Sequence, residues 1–369
     1  MKYRQYKGID ISLLGMGNMR LPVDETKEGK PIDYDRACEI IDYAMANGIN
    51  YYDTAYVYHS KTSEDFLGKA LVDRYPRDKF MLATKYNIDA NPDFKACFDE
   101  QLEKLHTDCI DFYLLHAINP ERGERYIESG CIEYFLEQKK AGRIKNIGFS
   151  THAPCDYLRK FVNVADWDFA QIQLNYFDWL FGTAKEEYEI LREKNLPIMV
   201  MESIRGGRLS QLTPEAERIL KAKYPNMSIS SWALRWLMTL PGIQVILSGM
   251  STLDQIKDNV ATFDTDPLTP SEIETLFVAA EKFHTHLVIP CTGCRYCTDG
   301  CPAGIDIPDV LNVFNDFKVN GAMGIKARME AFSAGPADCI GCGQCTSHCP
   351  QSIRIPDLMA EFAEKLEKL

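Results

Sequence analysis

The sequence lacks long apolar runs, grouped positive charge and an apolar leader. Its longest apolar stretches fall far short of the roughly 20 residues that a membrane-spanning helix needs. The first residues, MKYRQYKGID, do not contain the apolar core of a secretory signal. The formal net charge is −12, and Lys and Arg are scattered. These absences argue against a membrane span and against nucleic acid or an anionic membrane as partner, and we expect a cytoplasmic protein.

Cysteine, by contrast, is abundant and unevenly placed. Of thirteen cysteines, eight lie within the last 79 residues. Without a secretory signal we expect a reducing compartment, where clustered cysteines bind metal more often than they form disulfides. The other five are isolated, and we interpret them as small core residues: Cys38, Cys97, Cys109, Cys131 and Cys155.

Short apolar runs alternate with helix-like segments from residue 11 to about 265. Eight such pairs occur, from ISLLGMG with DYDRACEIIDYAMANG to IQVILSG with LDQIKDNVATF. Apolar runs rich in Ile, Val, Leu and Phe are typical of strands buried on both faces, and β/α alternation predicts a parallel sheet. Eight repeats of this length predict an α/β fold of the (β/α)₈ TIM barrel type. An open doubly wound sheet is the alternative, disfavoured because no Gly-x-Gly-x-x-Gly turn follows the first strand.

Polar side chains follow three consecutive predicted strands. Asp53 ends the second strand with Tyr58 five residues on, Lys85 ends the third, and His116 ends the fourth. In such barrels functional side chains lie at the carboxyl ends of strands, which share one mouth. Each residue alone has an ordinary structural explanation, as a turn cap, loop packing, a solvated strand end or a half-buried imidazole. Their occurrence at consecutive strand ends indicates a shared site.

The segments DTAYVY, LATKY and LLHA resemble the Asp–Tyr–Lys–His tetrad of the aldo-keto reductase family, over about residues 3–265. The resemblance implies a small-molecule carbonyl or alcohol substrate and hydride exchange with NADPH or NADH. It implies that Tyr58 donates a proton to the forming alkoxide. Lys85, held by Asp53, would favour the phenolate, and His116 would orient the carbonyl oxygen.

The same resemblance implies contacts with the nucleotide. GFST and AQIQLN match segments that meet the nicotinamide carboxamide, and GMSTLDQIKDN matches the loop and helix that hold the adenosine phosphate. An Arg often found near this loop is absent, which leaves the choice between NADPH and NADH open. Many relatives carry an aromatic that stacks on nicotinamide where this chain has Glu202. The implied contact residues are Ser150, Thr151, Gln171, Ser251, Gln255 and Asn259.

Two cysteine runs, CTGCRYCTDGCP and CIGCGQCTSHCP, share the spacing C-x₂-C-x₂-C-x₃-C-P at an offset of 48 residues. This is the bacterial two-cluster [4Fe–4S] spacing, in which the fourth cysteine of each run binds the other cluster. A zinc ribbon, the alternative, needs two C-x₂-C pairs and no third cysteine at the same interval. The rule predicts one cluster on Cys291, Cys294, Cys297 and Cys349, and a second on Cys339, Cys342, Cys345 and Cys301.

The repeat continues beyond the cysteines, since IDIPDVL recurs as IRIPDLM at the same offset. Each Ile-Pro-Asp places Pro where a helix begins, and apolar residues at helical spacing follow it. These halves resemble the α-helical ferredoxin domains of reductase iron–sulfur subunits. We therefore predict a barrel over 1–267, a linking helix over 268–285 and a two-cluster ferredoxin domain over 286–369.

The two predicted chemistries do not connect directly. Nicotinamide transfers two electrons as hydride and a [4Fe–4S] cluster transfers one, a step that a flavin normally bridges, and no flavin motif is present. Three hypotheses follow. The barrel reduces a carbonyl while the clusters are structural, sensing or docking elements; it exchanges electrons with the clusters through a flavin or substrate; or it is a nucleotide-sensing subunit that delivers electrons to a redox protein partner.

Overall fold

Eight parallel strands close into a barrel in the computed structural model, which confirms the predicted fold. The structure describes residues 1–285, 289–322 and 324–368. A two-stranded hairpin precedes the barrel, whose strands pair in chain order, the last with the first. The hairpin consists of β1 (Tyr3–Tyr6) and β2 (Ile9–Ser12), and the barrel of β3 (Leu14–Gly17), β4 (Tyr51–Asp53), β5 (Met81–Tyr86), β6 (Ile110–Ile118), β7 (Ile144–Thr151), β8 (Phe169–Gln173), β9 (Ile198–Met201) and β10 (Ile243–Ser248).

The first predicted strand, 11–17, divides between these two sheets. Its start belongs to β2, which pairs antiparallel with β1, and its end forms β3. The Ser12 hydroxyl donates to the Leu14 carbonyl at 2.8 Å and accepts from the Asn50 backbone N–H at 3.0 Å, at the point where the chain turns. Ile11 before Ser12 and Leu13, Leu14 and Met16 after it are all buried, so the apolar pattern gave no sign of the break.

Large side chains fill the barrel interior. Tyr6 and Ile11 of the hairpin belong to the same buried cluster as barrel residues such as Tyr51, Phe112 and Phe169. The Phe112 ring packs edge-on against Phe169, with centroids 5.2 Å apart, and against Tyr51 at 5.1 Å. Such pairs contribute about 0.5–1.5 kcal/mol each beyond the burial of their area. A filled interior holds the carboxyl ends of the strands in fixed positions around the mouth.

At least one helix follows every barrel strand. The helix predicted over 124–141 divides into two at Gly130, whose φ of 75° ends the helical path. The helices of residues 1–268 are α1 (Tyr34–Ala46), α2 (Ser63–Leu67, continued by a π-helical turn Gly68–Val72), α3 (Phe94–Lys104), α4 (Pro120–Glu128), α5 (Cys131–Lys140), α6 (Cys155–Phe161), α7 (Tyr176–Phe181), α8 (Ala184–Glu193), α9 (Pro214–Lys223), α10 (Ile229–Leu237) and α11 (Leu253–Thr262).

The chain packs as two units, Met1–Ser203 with Ala233–Leu268, and Ile204–Trp232 with Thr269–Leu369. The predicted boundaries at 267 and 285 stay predictions, and residue 286 lies outside the described residues. None of the described helices is long and apolar enough to cross a membrane. The remaining helices are α12 (Pro270–His284), α13 (Ile307–Asn320), α14 (Ile325–Met329), α15 (Gln344–Ser347) and α16 (Ile355–Glu367).

The helices α13 and α16 are the two equivalent elements that the repeat predicts. Each begins at its Ile-Pro-Asp segment. Phe314 of α13 stacks on Phe362 of α16 with ring centroids 4.4 Å apart and planes 11° apart. The core of the second unit consists of such apolar side chains together with Cys297 and Cys345, and six further cysteine and aromatic side chains of the two halves pack at its edge. The two cysteine runs therefore share one core.

Candidate functional site

Four polar side chains meet at the carboxyl mouth of the barrel. Asp53 is the last residue of β4, Lys85 lies on β5, His116 lies on β6, and Tyr58 is in the loop after β4. All four are buried, and Lys85 is completely enclosed. The structure therefore brings together the four residues that the sequence places at consecutive strand ends.

Lys85 lies at the centre of this group. Its Nζ donates to Oδ1 of Asp53 at 2.5 Å and to the Thr54 carbonyl at 2.7 Å, and it lies 3.5 Å from the Tyr58 hydroxyl oxygen. The Tyr58 ring stands edge-on to the His116 imidazole, with centroids 5.8 Å apart. The Tyr58 hydroxyl thus has a cation as its neighbour, and an imidazole lies beside the ring that carries it.

Burial controls the charges in this group. It lowers the pKa of the Lys85 ammonium, and the Asp53 carboxylate opposes that shift. It likewise raises the pKa of the Asp53 carboxyl, and Lys85 opposes that rise. Burial and the nearby Lys85 charge lower the pKa of His116 well below its usual range, so its imidazole is neutral at physiological pH. A neutral imidazole has one N–H to donate.

Removing either member of the Asp53–Lys85 pair is expected to destabilise the barrel strongly. A single Asp53→Leu or Lys85→Met substitution leaves an unpaired buried charge, which typically costs about 3–5 kcal/mol in the free energy of unfolding. The double variant should lose much less than the sum, as measured by denaturant unfolding. The exposed pair Lys69–Asp65 is the matched control, with an expected coupling of about 0.5 kcal/mol or less. Additive losses at Asp53 and Lys85 would show that the pair does not interact.

Asn18 also belongs to this mouth, although it is not among the residues predicted from the sequence. Its Nδ2 donates to the backbone carbonyl of Asp53 at 2.9 Å and to that of Met16 at 3.2 Å, and its side chain is fully buried. It holds the end of β4, and with it Asp53, against the end of β3. Asn18 directly follows β3, the first barrel strand. A polar residue at a strand end is therefore the sequence signal that could have identified it.

A second residue that the sequence analysis missed is the buried carboxyl of Glu64, which lies behind Lys85. It accepts from Thr84 Oγ1 at 2.5 Å and from Gln101 Nε2 at 2.6 Å, and the same Gln101 nitrogen lies 3.2 Å from the Lys85 carbonyl oxygen. Burial raises the pKa of Glu64 to about 7, partly opposed by the bonds from Thr84 and Gln101. A single acidic residue in a helical segment is usually exposed, so the sequence gives no sign that Glu64 is buried behind Lys85.

The residues implied as nicotinamide contacts lie on β7 and β8. Ser150 and Gln171 are partners in the register of these strands, and both are buried. Ser150 Oγ accepts from the Ala117 backbone N–H at 2.8 Å, and Thr151 Oγ1 accepts from that of Ala153 at 2.9 Å. Gln171 Oε1 is buried without a hydrogen-bond partner in the described part of the chain. Gln171 therefore has a buried oxygen that is available to accept a hydrogen bond from a ligand.

The residues implied as adenosine-phosphate contacts divide into two kinds. Ser251 and Gln255 lie at the start of α11, where Gln255 Oε1 accepts from the Ser251 backbone N–H at 2.7 Å and Ser251 Oγ donates to the Arg20 carbonyl at 2.6 Å. Asn259 is buried instead, and its Nδ2 donates to Ser248 Oγ at 3.0 Å. The structure thus leaves Ser251 and Gln255 near the surface, whereas Asn259 ties α11 to β10.

The eight clustered cysteines fall into two groups that cross between the runs. Burial raises the pKa of the Cys297 thiol, and three nearby thiols raise it further, those of Cys294, Cys291 and Cys349. A separate small cavity is lined by the other four, Cys301, Cys339, Cys342 and Cys345. In each group the fourth cysteine of one run joins three cysteines of the other run.

This donor set fits iron–sulfur clusters. Four thiols in each group supply the four thiolates that a [4Fe–4S] cluster takes. Among the described residues, no three His, Cys, Asp or Glu side chains converge closely enough to hold a single metal ion. The sulfur ligands of a cube-shaped cluster stand farther apart than those of a single ion, because each binds a different iron.

Comparisons with known proteins agree with a barrel that is followed by an iron–sulfur domain. The aldo/keto reductase family model matches residues 13–279, and a 4Fe-4S dicluster domain model matches residues 290–353. The uncharacterized oxidoreductase YqkF of Bacillus subtilis is 28% identical over 300 residues, which cover 73% of this chain and 92% of that protein. L-Galactose dehydrogenase of Arabidopsis thaliana is 27% identical over 303 residues, 72% of this chain and 94% of that one.

Solved structures give the same result. The holo form of the aldo-keto reductase AKR11C1 from Bacillus halodurans superposes with a TM-score of 0.61 and 27% identity, covering 76% of this chain and 96% of that one. An aldo-keto reductase from Klebsiella pneumoniae in complex with NADPH, 19% identical, shares the fold with a TM-score of 0.62, covering 75% of this chain and 94% of that one. The chain is an oxidoreductase that belongs to the aldo/keto reductase family and carries a C-terminal 4Fe-4S dicluster domain.

Proposed function

We propose that the barrel catalyses NAD(P)H-linked reduction of a small-molecule carbonyl, or the reverse oxidation of an alcohol, and that the two cysteine groups hold [4Fe–4S] clusters that transfer single electrons. The observation that carries the proposal is Lys85, bonded to Asp53 and 3.5 Å from the Tyr58 hydroxyl oxygen at a buried barrel mouth. Relatives named as an oxidoreductase and as L-galactose dehydrogenase support it.

The side chains at the mouth divide the work of proton transfer. The nicotinamide, when bound, supplies or accepts the hydride. Tyr58 donates its hydroxyl proton to the carbonyl oxygen as negative charge develops there, and Lys85 stabilises the resulting phenolate. Asp53 keeps Lys85 protonated against the cost of burial. Neutral His116 donates an N–H to the same oxygen and orients it. Alcohol oxidation runs through the same steps in reverse.

A second candidate function is electron exchange with a redox protein partner, or with a bound flavin, in which the barrel reduces no free carbonyl. One observation favours it: Cys342, a proposed cluster ligand, is exposed to solvent. A cluster with an exposed ligand is accessible to a one-electron partner. A flavin is the cofactor that would connect two-electron and one-electron chemistry.

Turnover assays on the anaerobically purified protein separate the two candidates. NADPH and NADH are each supplied with a panel of aldehydes and ketones, and we expect one alcohol formed per nucleotide oxidised. The control is the same assay with a one-electron acceptor in place of the carbonyl. Nucleotide oxidation that requires that acceptor and yields no alcohol would contradict carbonyl reduction, and flavin bands in the absorbance spectrum would support the second candidate.

A further inference from the structure

The two cysteine loops are equivalent in sequence but differ in exposure. Thr292 and Ile340 occupy the same place, one residue after the first cysteine of each run, and they are 1% and 71% exposed. Cys294 is buried, whereas its equivalent Cys342 is exposed. The first loop is therefore covered by other parts of its unit, and the second loop is open.

The segment Arg205–Ser210 provides part of that cover. Arg205 Nη2 donates to the Pro290 carbonyl at 3.4 Å, directly before the first loop. A Cβ placed on Gly293 would lie 3.4 Å from Cγ of Arg208 and 3.7 Å from the Arg205 carbonyl oxygen. The Arg208 side chain therefore packs against the loop between Cys291 and Cys294.

Arg208 differs from two other arginines that line the same cavity. It lines a polar cavity of about 640 Å³ together with Arg295 and Arg328, but Arg295 pairs with two aspartates and Arg328 with one. The Nε of Arg208 is buried and has no acceptor among the described residues. Burial lowers the pKa of its guanidinium, and the Cys291 thiol opposes that shift. A buried N–H without an acceptor is costly, so an acceptor is expected at this place.

We infer that Arg208 is a positioning residue for the cluster on the first loop, where its guanidinium places a positive charge and a donor N–H beside the Cys291 ligand and raises the reduction potential. One-electron reduction adds a negative charge to an anionic cluster, and a nearby cation stabilises the reduced form more than the oxidised form. This inference rests on the proposed cluster assignment.

Among the residues that the structure describes, the second cysteine group has no matching feature. Its cavity is lined by Gly, Pro, Ala, Ile, Met, Gln and Cys, with no charged residue in the described part of the chain. The position of Arg295 in the first loop is taken by Gly343 in the second. The effect of Arg208 is therefore expected on one cluster alone, which makes it measurable against an internal reference.

The test is a redox titration with dithionite and mediators, followed by electron paramagnetic resonance, on the full chain. Arg208→Gln should lower one midpoint potential and leave the other unchanged. At the wild-type midpoint, the reduced-to-oxidised ratio of that cluster should fall about tenfold, which is about 59 mV for a one-electron couple. Arg208→Lys, which keeps the charge but not the Nε donor, should give a smaller shift. Arg328→Gln removes the same charge from a guanidinium paired with Asp316 and should shift neither potential.

Cys342→Ser, which removes a ligand proposed for the second cluster, identifies the midpoint that remains as that of the first. Unchanged midpoints in Arg208→Gln, or equal shifts of both, would overturn the inference. Where Arg208→Gln loses iron, Arg208→Met, which keeps most of the side-chain length without the charge, decides, because a drop in one midpoint alone supports the inference and unchanged midpoints overturn it. Failure of the cluster assignment is distinct, since it would appear as wild-type protein without two [4Fe–4S] signals.

Discussion

Replacing Tyr58 by Phe lowers kcat/KM for NAD(P)H-dependent carbonyl reduction by about 10³-fold, the expected loss for a general acid whose developing phenolate is stabilised by a neighbouring cation. The substitution removes a single oxygen and keeps the ring that packs edge-on to His116. Nucleotide affinity and cluster content should be unchanged, because the proposed role of Tyr58 is limited to donating the proton. Steady-state kinetics measure kcat/KM, nucleotide titration measures the affinity, and iron analysis measures the cluster content.

Tyr56 is a matched control for this substitution. It lies in the same loop, is buried, and its hydroxyl donates to Glu100 Oε2 at 2.9 Å, so it points to a different partner. We expect Tyr56→Phe to keep turnover within about threefold, the effect of one hydrogen bond at a distance from the chemistry. If Tyr58→Phe matches Tyr56→Phe, Tyr58 is not the proton donor, and carbonyl reduction at this mouth needs another acid.

The second large effect concerns the crossing of the cysteine runs. Cys301→Ser should remove the cluster whose other three ligands come from the second run, lowering iron from roughly eight to roughly four atoms per chain. The reason is that Cys301 lines the same cavity as Cys339, Cys342 and Cys345. Cys349→Ser should remove the other cluster, because Cys349 lies near Cys291 and Cys297.

Paramagnetic resonance spectra of paired variants test the crossing directly. Cys301→Ser should lose the same signal as Cys339→Ser, and Cys349→Ser the same signal as Cys297→Ser. Cys109→Ser, in an isolated half-buried cysteine of the barrel, is the control and should keep both signals. Loss of one common signal from Cys301→Ser and Cys297→Ser would mean that each run holds its own cluster.

The two cysteine runs cross because the helices that follow them pack in one core. The helices that follow the two runs pack through Phe314 and Phe362, so the two cysteine loops are held by one set of side chains. Neither run is then expected to bind a cluster when separated from the other. Electron transfer through this unit would use two clusters in different surroundings, one on a loop that Arg208 covers and one on a loop that is open at Cys342.

Local pattern alone was sufficient for several features. Strand and helix periodicity predicted the barrel, because strands buried on both faces are apolar throughout and each is followed by an amphipathic helix. The grouping of Asp53, Lys85 and His116 was predictable because all three occur at strand ends. Parallel barrel strands bring their carboxyl ends to one mouth, so residues at these ends lie close together. The cysteine spacing was informative because a short loop wrapped around a cluster tolerates few other intervals.

Other features depended on contacts between distant parts of the chain. The Ser12 hydroxyl accepts from the backbone N–H of Asn50 at the break in the first strand, and Asn259 is buried against Ser248. The Glu64 carboxyl behind Lys85 accepts from Thr84. None of these hydrogen bonds has a local signature in the sequence. The difference between Thr292 and Ile340 has the same origin. The two loops have the same cysteine spacing. The first is covered by Arg205–Ser210, a segment that lies more than eighty residues before that loop in the sequence. The sequence by itself therefore determined which groups are candidates for the chemistry. Tertiary packing decided their charge, exposure and partners, because burial and desolvation exist only once the chain is folded.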